Sequence, residues 1–234
     1  MAERKPQPIG IVACSAEGAS LCYRTVCTEA AQWLGPHAHP EVAMHSHSLA
    51  DYVACLNRAD WDGVAQLMLD SAHKLVAIGA EVLICPDNTI HQAMPQVLPR
   101  SPRPWLHIAE VVAAEAAAHG YRRLGLTGTR WLVDSAVYPA EYVRPNAAER
   151  DVMHRIIMDE LVVGVLKPAS VAVLQRLIER FHDQGCDAVV LGCTEIPLVI
   201  DDGNSSLPVL DSTRLLARAA LRAAVAGRSS PAME

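Results

Sequence analysis

Residues 185–195 read Gly-Cys-Asp-Ala-Val-Val-Leu-Gly-Cys-Thr-Glu, and residues 79–89 read Gly-Ala-Glu-Val-Leu-Ile-Cys-Pro-Asp-Asn-Thr. Each stretch starts with glycine, a small residue and a carboxylate, continues with apolar residues and ends in a polar turn. When Gly79 is aligned with Gly185, at an offset of 106 residues, Asp87 falls opposite Cys193 and Cys85 opposite Leu191. The chain therefore carries the same strand-and-turn pattern twice.

The repeat extends outward, because residues 8–11 resemble residues 123–126 and residues 104–107 resemble residues 208–211. Strand and helix patterns alternate along the chain, which indicates parallel sheets with helices on both faces. We predict an α/β fold of two pseudo-symmetric three-layer lobes with parallel four-stranded sheets and the active site between them. The first lobe would comprise residues 1–104 and 208–234, and the second residues 105–207.

Apolar periodicity places the individual elements. The predicted strands cover residues 9–14, 42–47, 82–85, 106–108, 124–127, 188–191 and 209–210. The predicted helices cover residues 20–33, 60–78, 110–119, 147–166 and 170–184, with a last helix ending near residue 226. Four prolines in residues 95–104 predict a surface crossing rather than core, and we expect residues 227–234 to be disordered.

Composition restricts the class of protein. The chain has 234 residues, of which 51% are hydrophobic, and a net charge of −6, which argues against nucleic acid as a partner. No apolar run reaches membrane-spanning length, and the first residues lead directly into a strand rather than a signal peptide. Seven cysteines without CxxC spacing fit a reduced cytoplasm. We expect a cytoplasmic homodimer that acts on a small molecule.

Cys193 is the strongest candidate for a reactive group. It follows a strand and precedes Pro197, which suits the first turn of a helix, and a helix N-terminus favours the thiolate form. Gly192 would allow a ligand to approach the backbone closely. The alternative is a cysteine used only for packing. We accept that alternative for Cys14, Cys22, Cys27, Cys55 and Cys186.

Three stretches, residues 191–198, 88–91 and 209–214, resemble the aspartate/glutamate racemase family. The resemblance covers nearly the whole chain, including Glu17, Trp61 and Lys167. It implies two pseudo-symmetric α/β lobes and catalysis independent of pyridoxal phosphate, with no cofactor. It also implies a cysteine on each wall of the cleft. One would remove the α-proton of an acidic amino acid, and the other would protonate the opposite face.

The sequence departs from this family at the first cysteine. The residue immediately before Asn88 is Asp87, and Cys85 lies two places earlier. Either Asp87 replaces the thiol as acid/base, or a local shift brings Cys85 into the cleft, since residues i and i+2 of a strand share a face. The internal repeat favours Asp87. Ordinary pKa values then predict Cys193 as the proton abstractor and a buried, protonated Asp87 as the donor.

The resemblance also implies a set of substrate contacts. These are Asn88, Thr89, Thr129, Lys167 and Thr194, with Ser46 as a further candidate. Turn and N-cap roles are the alternative for the Asn and Thr residues. Some aspartate-specific members carry an arginine in the stretch that corresponds to residues 44–48, and this chain has none there.

Four histidines, His37, His39, His45 and His47, show spacing that is compatible with metal binding. Only Glu41 is a nearby candidate for a further ligand, so we interpret them as surface or cleft-lining residues and predict no metal. Residues 10–18 do not form a dinucleotide-binding fingerprint.

These observations predict a cofactor-independent amino-acid racemase or epimerase that works by proton transfer at Cα between Asp87 and Cys193. Two alternatives stay open. One is a one-cysteine isomerase or decarboxylase of a small dicarboxylic acid on the same fold. The other is a non-catalytic binder of an acidic metabolite.

Overall fold

The structure, a computed structural model, describes residues 5–226. The predicted disordered tail, residues 227–234, lies outside the described residues. Packing divides the chain into two compact units. Unit 1 contains the chain up to Pro86, Ala93–His107 and the residues from Leu216 onward, and unit 2 contains Asp87–Gln92 and Ile108–Leu215. The lobe boundaries at residues 104 and 207 stay a prediction.

Unit 1 contains a parallel four-stranded sheet of order β2-β1-β3-β4. Its strands are β1 (Ile9–Ala13), β2 (Val42–Ser46), β3 (Val82–Ile84) and β4 (Trp105–Leu106). Its helices are α1 (Ala16–Glu29), α2 (Ala31–Leu34), α3 (Leu49–Asn57), α4 (Trp61–Ala77) and α5 (Met94–Val97), with a 3₁₀ turn at Leu98–Arg100. All of β1 is buried, because α1 and α4 both pack against it.

Unit 2 contains a parallel three-stranded sheet of order β5-β6-β7. Its strands are β5 (Leu124–Thr127), β6 (Ala188–Leu191) and β7 (Val209–Asp211). Its helices are α6 (Ile108–Ala118), α7 (Arg130–Val133), α8 (Ala147–Asp159) and α9 (Pro168–Asp183), and α10 (Ser212–Ala226) begins here and continues in unit 1. Short 3₁₀ segments cover Thr89–Ala93, Leu161–Val163 and Ile196–Leu198.

The predicted α/β class with parallel sheets is confirmed, but the second sheet has three strands rather than four. Its fourth position is a single residue, Val143, which forms a parallel bridge to Gly125. The pairing does not continue at Pro145, which has no N–H to donate. The Arg144 guanidinium donates to the carbonyl oxygens of Val133, Tyr138, Ala140 and Tyr142. The order of positions nevertheless matches the order in unit 1.

The glycines of the repeat have packing roles. Gly79 and Gly185 follow α4 and α9 with φ of 104° and 78°, a backbone region that favours glycine after a helix. Gly10 and Gly125 leave room for side chains that cover the strands. A Cβ at Gly125 would lie 2.6 Å from the Phe181 ring, and a Cβ at Gly10 would lie 2.8 Å from Ala80 Cβ.

Several helix boundaries differ from the predictions. The sequence analysis missed α3, and the helix predicted over 147–166 ends at Asp159. The surface crossing predicted for residues 95–104 is partly wrong, because α5 buries Val97 completely. Pro95 lies in the first turn of α5, where a backbone N–H would have no helical acceptor, so its absence costs no hydrogen bond. Within residues 5–226, no helix combines the length and apolarity needed to span a membrane.

Candidate active site

The turn after β6 buries a thiol beside a carboxylate. Cys193 is 8% exposed and Glu195 2%. The Cys193 thiol donates to Glu195 Oε2 at 2.9 Å, and the Thr194 hydroxyl donates to the same oxygen at 2.9 Å. The other oxygen, Oε1, is buried and accepts no hydrogen bond from any of residues 5–226. The turn therefore holds one acidic proton on sulfur and one acceptor on the neighbouring side chain.

Gly192 is required by the close approach of two strands. Its N–H donates to the Thr127 carbonyl oxygen at 3.1 Å, and a Cβ at Gly192 would lie 2.4 Å from that oxygen. A distance below 3.0 Å excludes any larger residue unless the backbone moves. Gly192 thus joins the ends of β5 and β6. This close packing explains why the position is a glycine, with no need for the close approach of a ligand that the sequence suggested.

The prediction that Cys193 favours the thiolate form was wrong. Burial raises the pKa of Cys193 well above its ordinary value, and the Glu195 and Asp87 carboxylates raise it further. The element after the turn is a 3₁₀ segment of three residues, Ile196–Leu198, rather than a helix with a substantial dipole. Cys193 is therefore a neutral thiol in this structure.

Asp87 belongs to unit 2 and is partly exposed. Its Oδ1 accepts from the N–H of Ile90 at 3.1 Å, which closes the turn into Thr89–Ala93. The charge of Asp87 is one of the causes that raise the pKa of Cys193. Cys85 is completely buried and belongs to unit 1. The choice of Asp87 over Cys85 as acid/base stays a prediction.

His91 fixes the backbone of the Asp87 turn. Its Nε2 accepts from the N–H of Ile108 at 3.3 Å, so its ring proton lies on Nδ1. Nδ1 then donates to the Asp87 carbonyl oxygen at 2.6 Å. His91 is 2% exposed. Its two hydrogen bonds connect Asp87 to the start of α6.

Asn88 connects the Asp87 turn to the end of β6. Its Oδ1 accepts from the Tyr138 hydroxyl at 2.7 Å, and its Nδ2 donates to Ser212 Oγ at 2.9 Å. The Ser212 hydroxyl in turn donates to the Leu191 carbonyl oxygen at 2.7 Å. Burial raises the pKa of Tyr138, so its hydroxyl stays protonated and keeps donating. Asn88 is 1% exposed, and these bonds make it a support for the turn.

Thr89 and Thr129, predicted as substrate contacts, lie next to each other. Their hydroxyl oxygens are 3.0 Å apart, and both residues are under 9% exposed. Thr129 also caps α7 by accepting from the N–H of Leu132 at 3.3 Å. Gln92 donates to the carbonyl oxygens of Thr89 and Trp131, which fixes the same pair of turns. The structure thus brings together two hydroxyls from opposite halves of the sequence.

The other two predicted substrate contacts have different surroundings. Lys167 is exposed at the start of α9, where its Nζ lies 3.2 Å from Glu160 Oε1. Ser46 is exposed at the end of β2 in unit 1, and its hydroxyl donates to the His47 carbonyl oxygen. Their contact with substrate stays a prediction.

The histidines with metal-like spacing form ordinary polar contacts. His45 Nδ1 is 2.9 Å from Ser71 Oγ, and His47 Nε2 is 2.8 Å from Asp70 Oδ2. The Lys74 ammonium lies between them, 2.6 Å from Asp70 and 3.3 Å from His45 Nε2. Among residues 5–226, no three His, Cys, Asp or Glu side chains are arranged to hold a metal ion.

Sequence reasoning assigned no role to Glu195, His91 or Tyr138. Glu195 could have been found, because a carboxylate two residues after a cysteine in a tight turn can reach the thiol. His91 gave only a weak signal, four residues after Asp87. Tyr138 gave none, because its bond to Asn88 joins residues 50 positions apart.

The Asp/Glu/hydantoin racemase family matches residues 9–220. The broad specificity amino-acid racemase RacX of Bacillus subtilis is 25% identical over 177 residues, which cover 73% of this chain and 76% of the relative.

Two solved structures have the same fold over nearly their whole length. A candidate Asp/Glu racemase from Yersinia pestis has a TM-score of 0.84 and 28% identity, covering 94% of this chain and 99% of that one. An aspartate racemase homologue from Pyrococcus horikoshii has a TM-score of 0.79 and 29% identity, covering 93% of this chain and 99% of that one.

Proposed function

The chain belongs to the Asp/Glu/hydantoin racemase family, and from this premise we propose that it racemises or epimerises an amino acid by proton transfer at Cα between Asp87 and Cys193. Its relatives include an amino-acid racemase and a glutamate racemase, so it is an isomerase of the racemase class. The identity of the two acid/base residues, their roles and the kind of amino acid are proposals.

One observation carries the proposal: the Cys193 thiol is buried beside the Glu195 carboxylate, in the same unit as Asp87. Burial and the two carboxylates raise the pKa of Cys193, so the resting form carries a proton on Cys193. A thiol and a carboxylate form a complementary acid and base. This reverses the roles predicted from ordinary pKa values, since Cys193 now starts as the donor.

In the first direction, the Asp87 carboxylate takes the α-proton, and the electrons of the C–H bond move into the substrate carboxylate to give an enediolate. The Cys193 thiol then protonates the opposite face of Cα. The step leaves a protonated Asp87 and a Cys193 thiolate, and the second direction uses these two groups in reverse. Protons are conserved within each turnover.

Glu195 makes the Cys193 thiolate a strong base. The thiolate forms beside the buried Glu195 carboxylate, and two neighbouring negative charges in a low-dielectric environment repel each other. Abstraction of a weakly acidic α-proton needs such a base. In our proposal Glu195 favours the thiol at rest and drives the thiolate to regain a proton.

The proposed substrate is an acidic or related amino acid. The paired hydroxyls of Thr89 and Thr129 suit a carboxylate oxygen, and Asn88, Thr194, Lys167 and Ser46 remain proposed contacts. The broad specificity of the Bacillus subtilis relative makes a panel of substrates preferable to aspartate and glutamate alone. Free cysteines throughout residues 5–226 support a reducing compartment, and we propose the cytoplasm; the homodimer stays a prediction.

Deuterium incorporation tests this function. The protein is incubated in D₂O with each enantiomer of aspartate, glutamate and a panel of neutral and basic amino acids, and products are followed by NMR and chiral chromatography. We expect deuterium at Cα together with inversion for at least one pair of enantiomers. Exchange without inversion would instead indicate a one-base enzyme. Absence of exchange with every compound, alongside measurable binding, would indicate a binder.

A further inference from the structure

Helices α8 and α9 leave an apolar groove between them in unit 2. Its volume is about 260 Å³, close to the lower end of the range for small-ligand sites. The wall side chains are Val152 and Met153 from α8, and Val173, Leu174 and Leu177 from α9. Ala148, which is exposed, also lines the groove.

The charged groups at the rim favour an anion. Two of them line the groove, Glu149 and Arg176. Glu149 already has a cationic partner, since its Oε2 lies 2.5 Å from Arg180 Nη2 and also accepts from the N–H of Asn146. Arg176 forms no ion pair or hydrogen bond with any side chain of residues 5–226 and is exposed. The rim therefore offers one uncompensated guanidinium beside apolar walls.

The groove also borders the candidate active site. Met153 lines the groove and is 1% exposed, and its sulfur accepts from the N–H of Gly128 at 3.4 Å. Gly128 directly precedes Thr129, whose hydroxyl meets that of Thr89. An occupant of the groove would thus contact the side chain that supports the Thr129 turn.

We propose that the α8–α9 groove binds a small apolar carboxylate, with the hydrocarbon part against Val152, Met153 and Val173 and the carboxylate on Arg176. The apolar walls exclude a highly polar ligand, because nothing in them would replace its hydration. The guanidinium matches a carboxylate in geometry and charge. Nothing in this site takes part in the proposed proton transfer, so it is a second site.

NMR titration of the full chain with 3-phenylpropionate tests the site, with 3-phenylpropionamide as the neutral match. We expect saturable shifts of the Val152 and Val173 amide resonances, and weaker binding of the amide. Arg176→Gln should raise the Kd about fivefold, as for an ion pair at a partly exposed rim. Ala148→Trp, at an exposed position, should fill the groove and abolish these shifts.

Arg155→Gln is the matched control, because Arg155 is exposed on α8 and does not line the groove. It should leave the Kd unchanged. The proposal is overturned if the acid leaves α8 and α9 resonances unmoved, or if Arg176→Gln and Arg155→Gln weaken binding equally. A second copy of the chain is the other possible occupant of the groove. The proposal is also overturned if the same resonances shift with protein concentration and the acid does not reverse that shift. Binding is measured without turnover, so the outcome is independent of the racemase test.

Discussion

The turns after β3 and β6 share a sequence pattern, but one presents a hydrogen-bond acceptor and the other a hydrogen-bond donor. In the first, Asp87 is partly exposed and its carboxylate accepts a backbone N–H. In the second, Cys193 is buried and its thiol donates to a carboxylate. The repeat places Asp87 and Cys193 at equivalent positions, whereas their burial and their hydrogen-bond partners differ.

The residues that follow differ in the same way. Asn88, after Asp87, uses both ends of its amide to hold the turn against Tyr138 and Ser212. Thr194, after Cys193, donates to Glu195 beside the thiol. Equivalent positions therefore support the backbone in one turn and the electrostatics in the other. Mutations in the two turns should have different signatures.

The largest effect is expected at Cys193. Cys193→Ala removes the proposed donor, and we expect racemisation to fall by about 10³-fold or more, within the range for general acid–base groups. Chiral chromatography measures the rate, and circular dichroism checks the fold. Cys186→Ala, which also changes a buried cysteine of unit 2, is the control and should retain activity. Near wild-type turnover by Cys193→Ala would remove Cys193 from the mechanism.

A smaller effect is expected at Asp87. Asp87→Asn should lower turnover by about 10²-fold, because an amide cannot accept the α-proton. Cys85→Ala should affect stability more than turnover, since Cys85 is completely buried. Kinetics normalised to folded protein separate the two effects. If Cys85→Ala is the more damaging to turnover, the thiol rather than Asp87 is the second acid/base.

The Asp87→Cys variant sharpens the comparison. It places a thiol in both turns, so the two directions of proton transfer should become more equal than in the wild type. The initial rates from the L- and D-enantiomers measure this ratio. An unchanged ratio would mean that Asp87 does not set the directional bias.

Glu195→Gln should shift the pH dependence and should also lower the rate in the direction in which the Cys193 thiolate abstracts the α-proton. The Glu195 carboxylate raises the pKa of Cys193, so its removal should lower that pKa and shift thiolate formation to lower pH. Iodoacetamide should then alkylate Cys193 about tenfold faster for each pKa unit lost, when measured by mass spectrometry at pH 8. Asp183→Asn, an exposed carboxylate of the same unit, is the control. An unchanged alkylation profile would dissociate Glu195 from the thiol.

The smallest effect is expected at Tyr138. Tyr138→Phe leaves the buried Asn88 carbonyl oxygen without its hydroxyl donor, which should cost about 1–2 kcal/mol of the free energy of unfolding. Denaturant titration measures it, with Tyr142→Phe as the control at a half-buried neighbour. Turnover should fall only severalfold. Equal stability losses in both variants would argue against a specific support of Asn88.

Much of the fold could be predicted because it depends on local patterns. Apolar runs located β5 and β6 to the residue. The fourth position of unit 2 was not predicted as the single bridge that Val143 forms, because one residue gives no apolar run in the sequence. Helix α3 was not predicted either, because it is short.

The position of the candidate site stays a prediction, whereas the thiolate form predicted for Cys193 was wrong. The repeat and the family resemblance both indicated Cys193. The assumption that Cys193 has an ordinary thiol pKa was wrong, because the burial that raises this pKa depends on the whole fold. The role of Asn88 was likewise hidden, since its partners Tyr138 and Ser212 lie 50 and 124 residues away in sequence. Long-range contacts, which no local pattern encodes, decide both features.

Helix α10 supplies the last pieces of both units, with Ser212–Leu215 in unit 2 and the residues from Leu216 onward in unit 1. During synthesis from the N-terminus, the Asp87–Gln92 segment emerges more than a hundred residues before Ser212, the residue that receives the Asn88 amide. Neither unit is complete until α10 has left the ribosome, although domains commonly fold one after another as they emerge. The strands of both sheets are therefore made before α10, but neither unit gains the packing of α10 until that helix has been made.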